Sequence, residues 1–249
     1  MKAMVLAAGL GTRLRPLTDD RPKALVEVAG RTMLEIALTR LRYAGIREVI
    51  VNTHHYAEMV EAWLRAHAPN DMRIEISRED ELLDTGGGLK RAAWFFREPG
   101  PDADEPFLLH NVDVLSTIDF AAMVEAHRKS SALATLAAQH RPTSRYLLFD
   151  KDGKLCGRRT GNDGPTELAL PAAGPQALAF AGIHVLSPRI FSLLREEGAF
   201  SIIPAYLRLA AQGERIAQFR ADQFYWRDLG RPADVEHAAR DVASGIYPG

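Results

Sequence analysis

The amino-acid sequence predicts an α/β protein: a mixed, mainly parallel sheet with helices on both faces. Three observations carry that prediction: short wholly apolar runs, helical repeats between them, and brief connections joining the two. The first run, "AMVLAA" (3–8), is apolar throughout, as a strand buried on both faces requires. "TMLEIALTRLRYAG" (32–45) then spaces Leu34, Leu38 and Leu41 at helical intervals and closes on Gly45. "EVIVNT" (48–53) is the second strand, "AEMVEAWLRAHA" (57–68) the second helix and "RIEIS" (73–77) the third strand. "GGGLKRAAWFFRE" (86–98) reads as a helix entered through glycines, followed by the buried strand "PFLLHNVDV" (106–114) and the helix "DFAAMVEAHRK" (119–129).

Beyond residue 130 the alternation loosens. Strands are expected at "ALATLAAQ" (132–139), "RYLLFD" (145–150), "LAFAGIHVL" (178–186) and "RIAQFR" (215–220). Helices are expected at "PRIFSLLREE" (188–197), "IPAYLRLAAQ" (203–212) and "PADVEHAARDVASG" (232–245). The stretch from Asp150 to Gly174, rich in Gly, Pro and charge, reads as a hairpin or flap over a site.

Composition narrows the function. The 249 residues suffice for one sizeable core, and 31 Lys and Arg against 32 Asp and Glu leave a net charge of -1. That balance excludes a protein that coats nucleic acid or a membrane surface, so any anion must be met locally. Cys156 stands alone, which excludes an internal disulfide and points to a reducing compartment. The apolar run after Lys2 stops at Gly9 and meets Arg13 and Arg15, too short for a secretion signal. Nor is there an apolar stretch of about 18 residues. A soluble cytoplasmic protein is expected, monomeric or homodimeric, without nucleic-acid or membrane partners.

"LAAGLGTRLRPLTDDRPKAL" (6–25) carries the chemistry. Directly after a strand it sets Gly9 and Gly11, then Arg13 and Lys23, with Pro16 and Pro22 between the two cations. Ligands in open α/β sheets bind at carboxyl ends of strands. Glycines there let successive N–H groups converge on an anion, and prolines lower the entropy cost of ordering a long loop. A dinucleotide fingerprint is excluded, because Leu14 stands where its third glycine belongs and the second strand ends in Asn52 and Thr53. A Walker A loop is excluded as well, since no G-x-x-x-x-G-K-[ST] run occurs. What remains is a stiff, basic, glycine-hinged loop suited to a triphosphate.

These residues, with "PKALVEVAGRTMLE", "IVNTHH", "LLDTGGGL", "NVDVL", "FAGIHVLSP" and "WRDLGRPADV" in order, resemble the sugar-phosphate nucleotidyltransferases over nearly the whole chain. The likeness is greatest to the short N-acetylmuramate 1-phosphate uridylyltransferases, which carry a similar T-G-G-G run and no left-handed β-helix domain. The resemblance implies a Rossmann-like, glycosyltransferase-A-like fold as a single catalytic domain over 1–249. Residues 1–130 would form its nucleotide-binding half and 131–249 its sugar-binding half. The implied reaction is Mg²⁺-dependent transfer of NMP, UMP above all, from an NTP such as UTP to a sugar 1-phosphate, N-acetylmuramate 1-phosphate or similar. It yields an NDP-sugar and pyrophosphate. Alternatives are guanylyl transfer to mannose or heptose 1-phosphate, cytidylyl transfer to a phospho-alcohol, or a silent nucleotide-binding regulator of the same fold.

Asp113 and Asp228 end two strand-like runs, and two carboxylates from strand ends suit Mg²⁺, which takes few carboxylates and fills its shell with water and phosphate. The resemblance gives this pair to the metal. It implies nucleotide contacts from Leu6, Ala7 and Ala8 at the strand end, and from Gly9, Gly11, Thr12, Arg13 and Lys23 in the loop. Thr85, Gly86, Gly87 and Asn111 complete that set, with the T-G-G-G backbone against the base. Arg13, Lys23 and Asp113 are the expected catalytic residues, and Gly182 is expected against the sugar. Two features depart from the pattern: Val112 replaces the glycine of N-G-D, and the E-K-P element with which many relatives grip the sugar phosphate is absent between Gln139 and Gly182. Arg145, Arg158 and Arg159 are the candidate substitutes. His54, His55, His110, His184, Cys156 and the aromatic run Trp94–Phe96 read as packing residues.

Overall fold

The computed structural model describes residues 1–99 and 104–247. The first half holds β1 (Lys2–Leu6), β2 (Glu27–Val28), β3 (Arg31–Thr32), α1 (Met33–Tyr43), β4 (Glu48–Thr53), α2 (Ala57–His67) and β5 (Arg73–Arg78). There follow α3 (Asp84–Arg91), α4 (Ala93–Phe96), β6 (Phe107–Asn111), β7 (Val114–Ser116) and α5 (Phe120–Ser130). The second half holds β8 (Ala134–Gln139), β9 (Arg145–Phe149), β10 (Leu155–Thr160), β11 (Thr166–Leu168) and β12 (Gln176–Leu186). It closes with α6 (Ile190–Leu193), α7 (Ile202–Ala211), β13 (Ile216–Arg220), β14 (Trp226–Asp228) and α8 (Pro232–Ala243).

β1, β4, β5 and β6 pair in parallel, β12 runs antiparallel to β6 and β8, and β13 lies parallel to β8. The sheet is therefore mixed and mainly parallel around β1. Its central strands are buried on both faces, and the pleat sorts them: Ala3, Val5, Val49, Val51 and Leu108 face one core, while Met4, Ile50 and Leu109 face the other. The first core is covered by α1, α2, α5 and α8, the second by α3, α4, α6 and α7. Helices on both faces follow from that double burial. α1 opens as the sequence predicts, with the Thr32 hydroxyl accepting from Glu35 N at 3.1 Å.

Several elements differ from expectation: the helix expected over 86–98 is split into α3 and α4, and the strand expected over 106–114 into β6 and β7. The helix predicted over 188–197 is only α6, because at Leu194 the chain turns away. It passes instead across the start of α3, where Phe200 N donates to Leu83 O and Phe200 O accepts from Gly86 N and Gly87 N. These bonds replace the helical ones. The glycines of 86–88 lie inside α3 and not before it. The 150–174 stretch does form a hairpin, β10 against β11, extending the sheet through β9 to the first half of β12. Among the described residues no helix is long and apolar enough to cross a membrane.

Candidate active site

β1 and β6 end side by side, Leu6 paired in register with Asn111, and deliver their following residues to one edge of the sheet. After β1 the chain leaves as the basic loop, pinned by four buried residues: Leu14, Thr18, Pro22 and Ala24. Gly11 is needed there. Its φ is 65°, and a Cβ would stand 2.9 Å from Thr18 Cγ2, while Thr18 Oγ1 donates to Gly11 O at 2.9 Å. So anchored, the loop exposes Gly9, Thr12 and Arg13 and returns through a short 3-10 turn at Lys23–Leu25. Lys23 Nζ contacts Asp113 Oδ2, and both side chains are largely enclosed.

Asp228 reaches the same point by a different route. β14 pairs antiparallel with β7, setting Asp228 opposite Val114, and Leu229 N donates to Asp113 O at 2.8 Å. The two aspartates, 115 residues apart in sequence (228 − 113), thus sit on neighbouring strand ends. Burial pushes the Asp228 carboxyl above its ordinary value and the Asp113 charge adds to it, against the opposing pull of Lys23 and Arg13. Its Oδ1 is buried with no hydrogen-bond partner among the described residues. Gly230 lets the groups close in: a Cβ there would lie 2.6 Å from Asp228 Oδ1 and 2.9 Å from Arg13 Nη2.

Two cavities flank these carboxylates. The first, about 310 Å³, is lined by Leu6, Ala8, Gly9, Lys23, Asn52, Glu79, Leu82, Asp84, Thr85, Asn111, Val112 and Asp113. The second, about 290 Å³, is lined by Arg13, Asn111, Asp113, Val114, Arg141, Thr143, Ser144, Arg145, Phe180, Gly182, Trp226 and Asp228. Asn111 and Asp113 belong to both, forming a shared wall. Asn111 Oδ1 is buried with no partner among the described residues, an acceptor left open at that wall. The second cavity depends on a bulge in β12. Gly182, with φ 73°, lets the strand approach until a Cβ would stand 2.8 Å from Val114 Cγ2 and 3.0 Å from Asn111 Nδ2.

The structure brings together Leu6, Ala8, Gly9, Arg13, Lys23, Thr85, Asn111, Asp113, Gly182 and Asp228, all of them on one cavity or the other. Ala7 is buried, with its N–H donating to Asn52 Oδ1 at 2.7 Å, and Gly11 and Thr12 belong to the loop rather than to either lining. Gly86 and Gly87 line neither cavity. Their N–H groups are spent on Phe200 O, and a Cβ on Gly86 would fall 2.2 Å from Phe200 Cε2. Close packing against 198–200 is what those glycines serve. Thr85 Oγ1 accepts from Ile202 N at 3.0 Å, tying the first cavity to α7.

The floor of the first cavity holds groups that the sequence did not single out. Buried Glu79 accepts from Asn52 Nδ2 at 2.7 Å and from Leu83 N at 2.9 Å, so Ala7, Asn52, Glu79 and Leu83 form one braced chain. Only the appearance of Asn52 at a strand end hinted at it. Val112 turns inward and packs in the core. Among the three candidate arginines, Arg158 pairs with Glu167 at 2.6 Å and Arg159 donates to Gly161 O and stacks on Tyr146; Arg145 alone lines the second cavity. Arg141 joins it there, unforeseen. Cys156 is buried, its Sγ donating to Leu148 O at 3.3 Å, and burial raises its thiol, as a packing residue should show. Phe95 and Phe96 are core, but Trp94 is 47% exposed.

Comparison with known proteins agrees with this geometry. The nucleotidyl transferase family model matches residues 2–245. The N-acetylmuramate alpha-1-phosphate uridylyltransferase of Caulobacter vibrioides is 36% identical over 240 residues, 92% of each chain. Its Neisseria meningitidis counterpart is 30% identical, over 96% of each. The mannose-1-phosphate guanylyltransferase of Mycobacterium tuberculosis is 29% identical over 99% of this chain and 66% of its own. In fold, the chain superposes on HddC from Yersinia pseudotuberculosis complexed with GMP-PN with a TM-score of 0.76, at 21% identity over 96% of this chain and 98% of that one. Two carboxylates and a lysine gathered at the end of a parallel sheet, behind a glycine-hinged basic loop, are thus held by a chain that belongs to the nucleotidyl transferase family and is a sugar-phosphate nucleotidyltransferase.

Proposed function

We propose that the protein transfers UMP from UTP to N-acetylmuramate 1-phosphate or a close relative, releasing pyrophosphate, with Mg²⁺ as the metal. The observation that carries the reading is the wall of Asn111 and Asp113 common to two cavities of similar size. A nucleotide in the first and a sugar 1-phosphate in the second would meet at that wall. Residues 1–130 supply all of the first lining and residues beyond 131 most of the second, which supports one catalytic unit of two halves. The uracil and muramate choices rest on the likeness to the Caulobacter and Neisseria proteins.

The attacking oxygen belongs to a phosphate that is already anionic at neutral pH, so the reaction needs no protein nucleophile. Positioning and charge neutralisation remain. Gly9 and the loop amides with Arg13 take the leaving pyrophosphate, and Lys23 neutralises charge gathering around the α-phosphorus. The open Asn111 acceptor orients a substrate hydroxyl. The unpartnered Asp228 Oδ1 beside Asp113 suits a divalent cation, since Lys23 pairs with Asp113 Oδ2 and leaves the neighbouring Asp228 oxygen open. Asp113 and Asp228 would hold Mg²⁺, which supplies positive charge to the phosphate oxygens around the reacting phosphorus.

Pyrophosphate release from UTP, GTP, CTP and dTTP, each with N-acetylmuramate, mannose and glucose 1-phosphates, tests the reading. UTP with N-acetylmuramate 1-phosphate is expected to give the highest kcat/KM. Preference for GTP with mannose 1-phosphate would favour guanylyl transfer, the reading suggested by the Mycobacterium relative. Nucleotide binding with no release in any combination would indicate a silent regulator.

A further inference from the structure

Arg141 and Arg145 bring positive charge to the second cavity beyond what Arg13 already supplies beside Asp228. Arg141 is fixed. Its Nη2 donates to Phe180 O at 2.8 Å, its guanidinium lies 3.6 Å over the Trp226 ring, and Trp226 Nε1 is itself held by Ala181 O at 2.8 Å. Its Nε is buried without a hydrogen-bond partner among the described residues. Burial lowers its affinity for a proton, and the Asp228 charge opposes that fall, so Arg141 stands at the carboxylate end of the cavity. Arg145 differs. It is exposed, at the first position of β9, and its guanidinium has no hydrogen-bond or ion-pair partner among the described residues. The turn before it is nevertheless built: Arg145 N donates to Thr143 Oγ1 at 3.2 Å, and Thr143 N donates to Tyr146 Oη at 3.3 Å.

A neutral sugar is read by hydroxyl, amide and carbonyl groups. A guanidinium free on the rim of a partly enclosed cavity, on a fixed strand start, matches a planar anion that it can grip with two parallel N–H bonds. Arg13 and Arg141 already place two cations beside Asp228, where the proposed reading puts the reacting sugar phosphate, which leaves Arg145 for a second anion on the same sugar. We propose that Arg145 forms a carboxylate subsite, so that the protein selects sugar 1-phosphates carrying a second, ether-linked acid. Arg145 is then the residue that separates an acidic amino sugar from its neutral parent. This rests on the proposed reading of the second cavity as the sugar-phosphate site.

The experiment compares N-acetylmuramate 1-phosphate with N-acetylglucosamine 1-phosphate, which lacks only the lactyl acid, in the wild type, R145A and R145K with UTP. The wild type is expected to favour the acidic sugar by at least about tenfold in kcat/KM. R145A is expected to lose about 10–100-fold for the acidic sugar, chiefly in KM, as for one charge-assisted hydrogen-bond pair. It should change by less than about threefold for the neutral one, so misfolding is excluded within the same protein. R145K, which keeps the charge without the fork, should fall between. Equal use of both sugars by the wild type, or equal losses on both in R145A, would overturn the carboxylate subsite and leave the sugar-phosphate reading standing. Turnover of neither sugar, with release from other sugar phosphates, would overturn the muramate reading and the subsite with it.

Discussion

Lys23 and Asp113 meet in a place where water is largely shut out, so each charge there does more than it would on a surface. Removing one electrostatic contact of this kind typically costs on the order of 10²–10³ in rate, about 3–4 kcal/mol. Lys23→Ala and Asp113→Ala are each expected to lower kcat by at least that, measured on protein that still melts as a folded chain, since removing one partner of an enclosed ion pair also costs stability. Pyrophosphate release and thermal melting check it, and near-normal turnover by either variant would remove the assigned roles. Gly86→Ala makes the opposite pattern. A methyl 2.2 Å from Phe200 Cε2 must displace that ring, at about 1–3 kcal/mol. Its Tm should drop by several degrees while the UTP KM of the folded enzyme moves little; a KM change without a Tm change would return Gly86 to the base. Charged residues beside glycine and proline were legible in the sequence, because nothing in a core explains them. Glu79 and Asn52 were not, since a bonded pair 27 residues apart leaves no spacing to read.

At the scale of elements, the long buried strands and amphipathic helices announced themselves by period, whereas β7 and β14 are three residues each and have none. Their pairing sets Asp228 against Val114, so the sequence offered Asp228 only as the end of a strand-like run, and its meeting with Asp113 rested on resemblance. α6 was overestimated because backbone bonds between Phe200 and the start of α3 compete with helix continuation. β12 carries the largest local demand. Gly182→Ala forces a side chain into a left-handed φ of 73° and against Val114 and Asn111. The expected outcome is a loss of about 1–3 kcal/mol of stability together with a fall in kcat. Urea unfolding and turnover measured side by side check it. Retention of both would mean that the bulge does not set the shared wall.

Across the whole molecule, both cores draw residues from the first and second halves of the chain, so one cooperative unfolding transition is expected. Its pH dependence follows from histidines buried without charge. Burial holds His127 at about 4 and His184 at about 3, both below the ordinary 6.5, with His127 bonded to Thr135 and Ser187 and His184 to Tyr206. In the unfolded chain these rings take up protons near 6.5, and in the folded one only far lower. Stability is therefore fully present above about pH 6.5 and is lost as pH falls toward 4, by up to ~1.4 kcal/mol per pH unit for each ring. Melting scans from pH 8 to 4.5 should show a plateau and then a decline, and an unchanged Tm down to pH 5 would contradict it. The wall of Asn111 and Asp113 has one further consequence, for chemists. Since that partition divides the two compartments, a single inhibitor spanning a nucleoside-like and a sugar-like fragment needs a very short tether. Each fragment then raises the other's effective concentration, giving avidity that neither half attains alone.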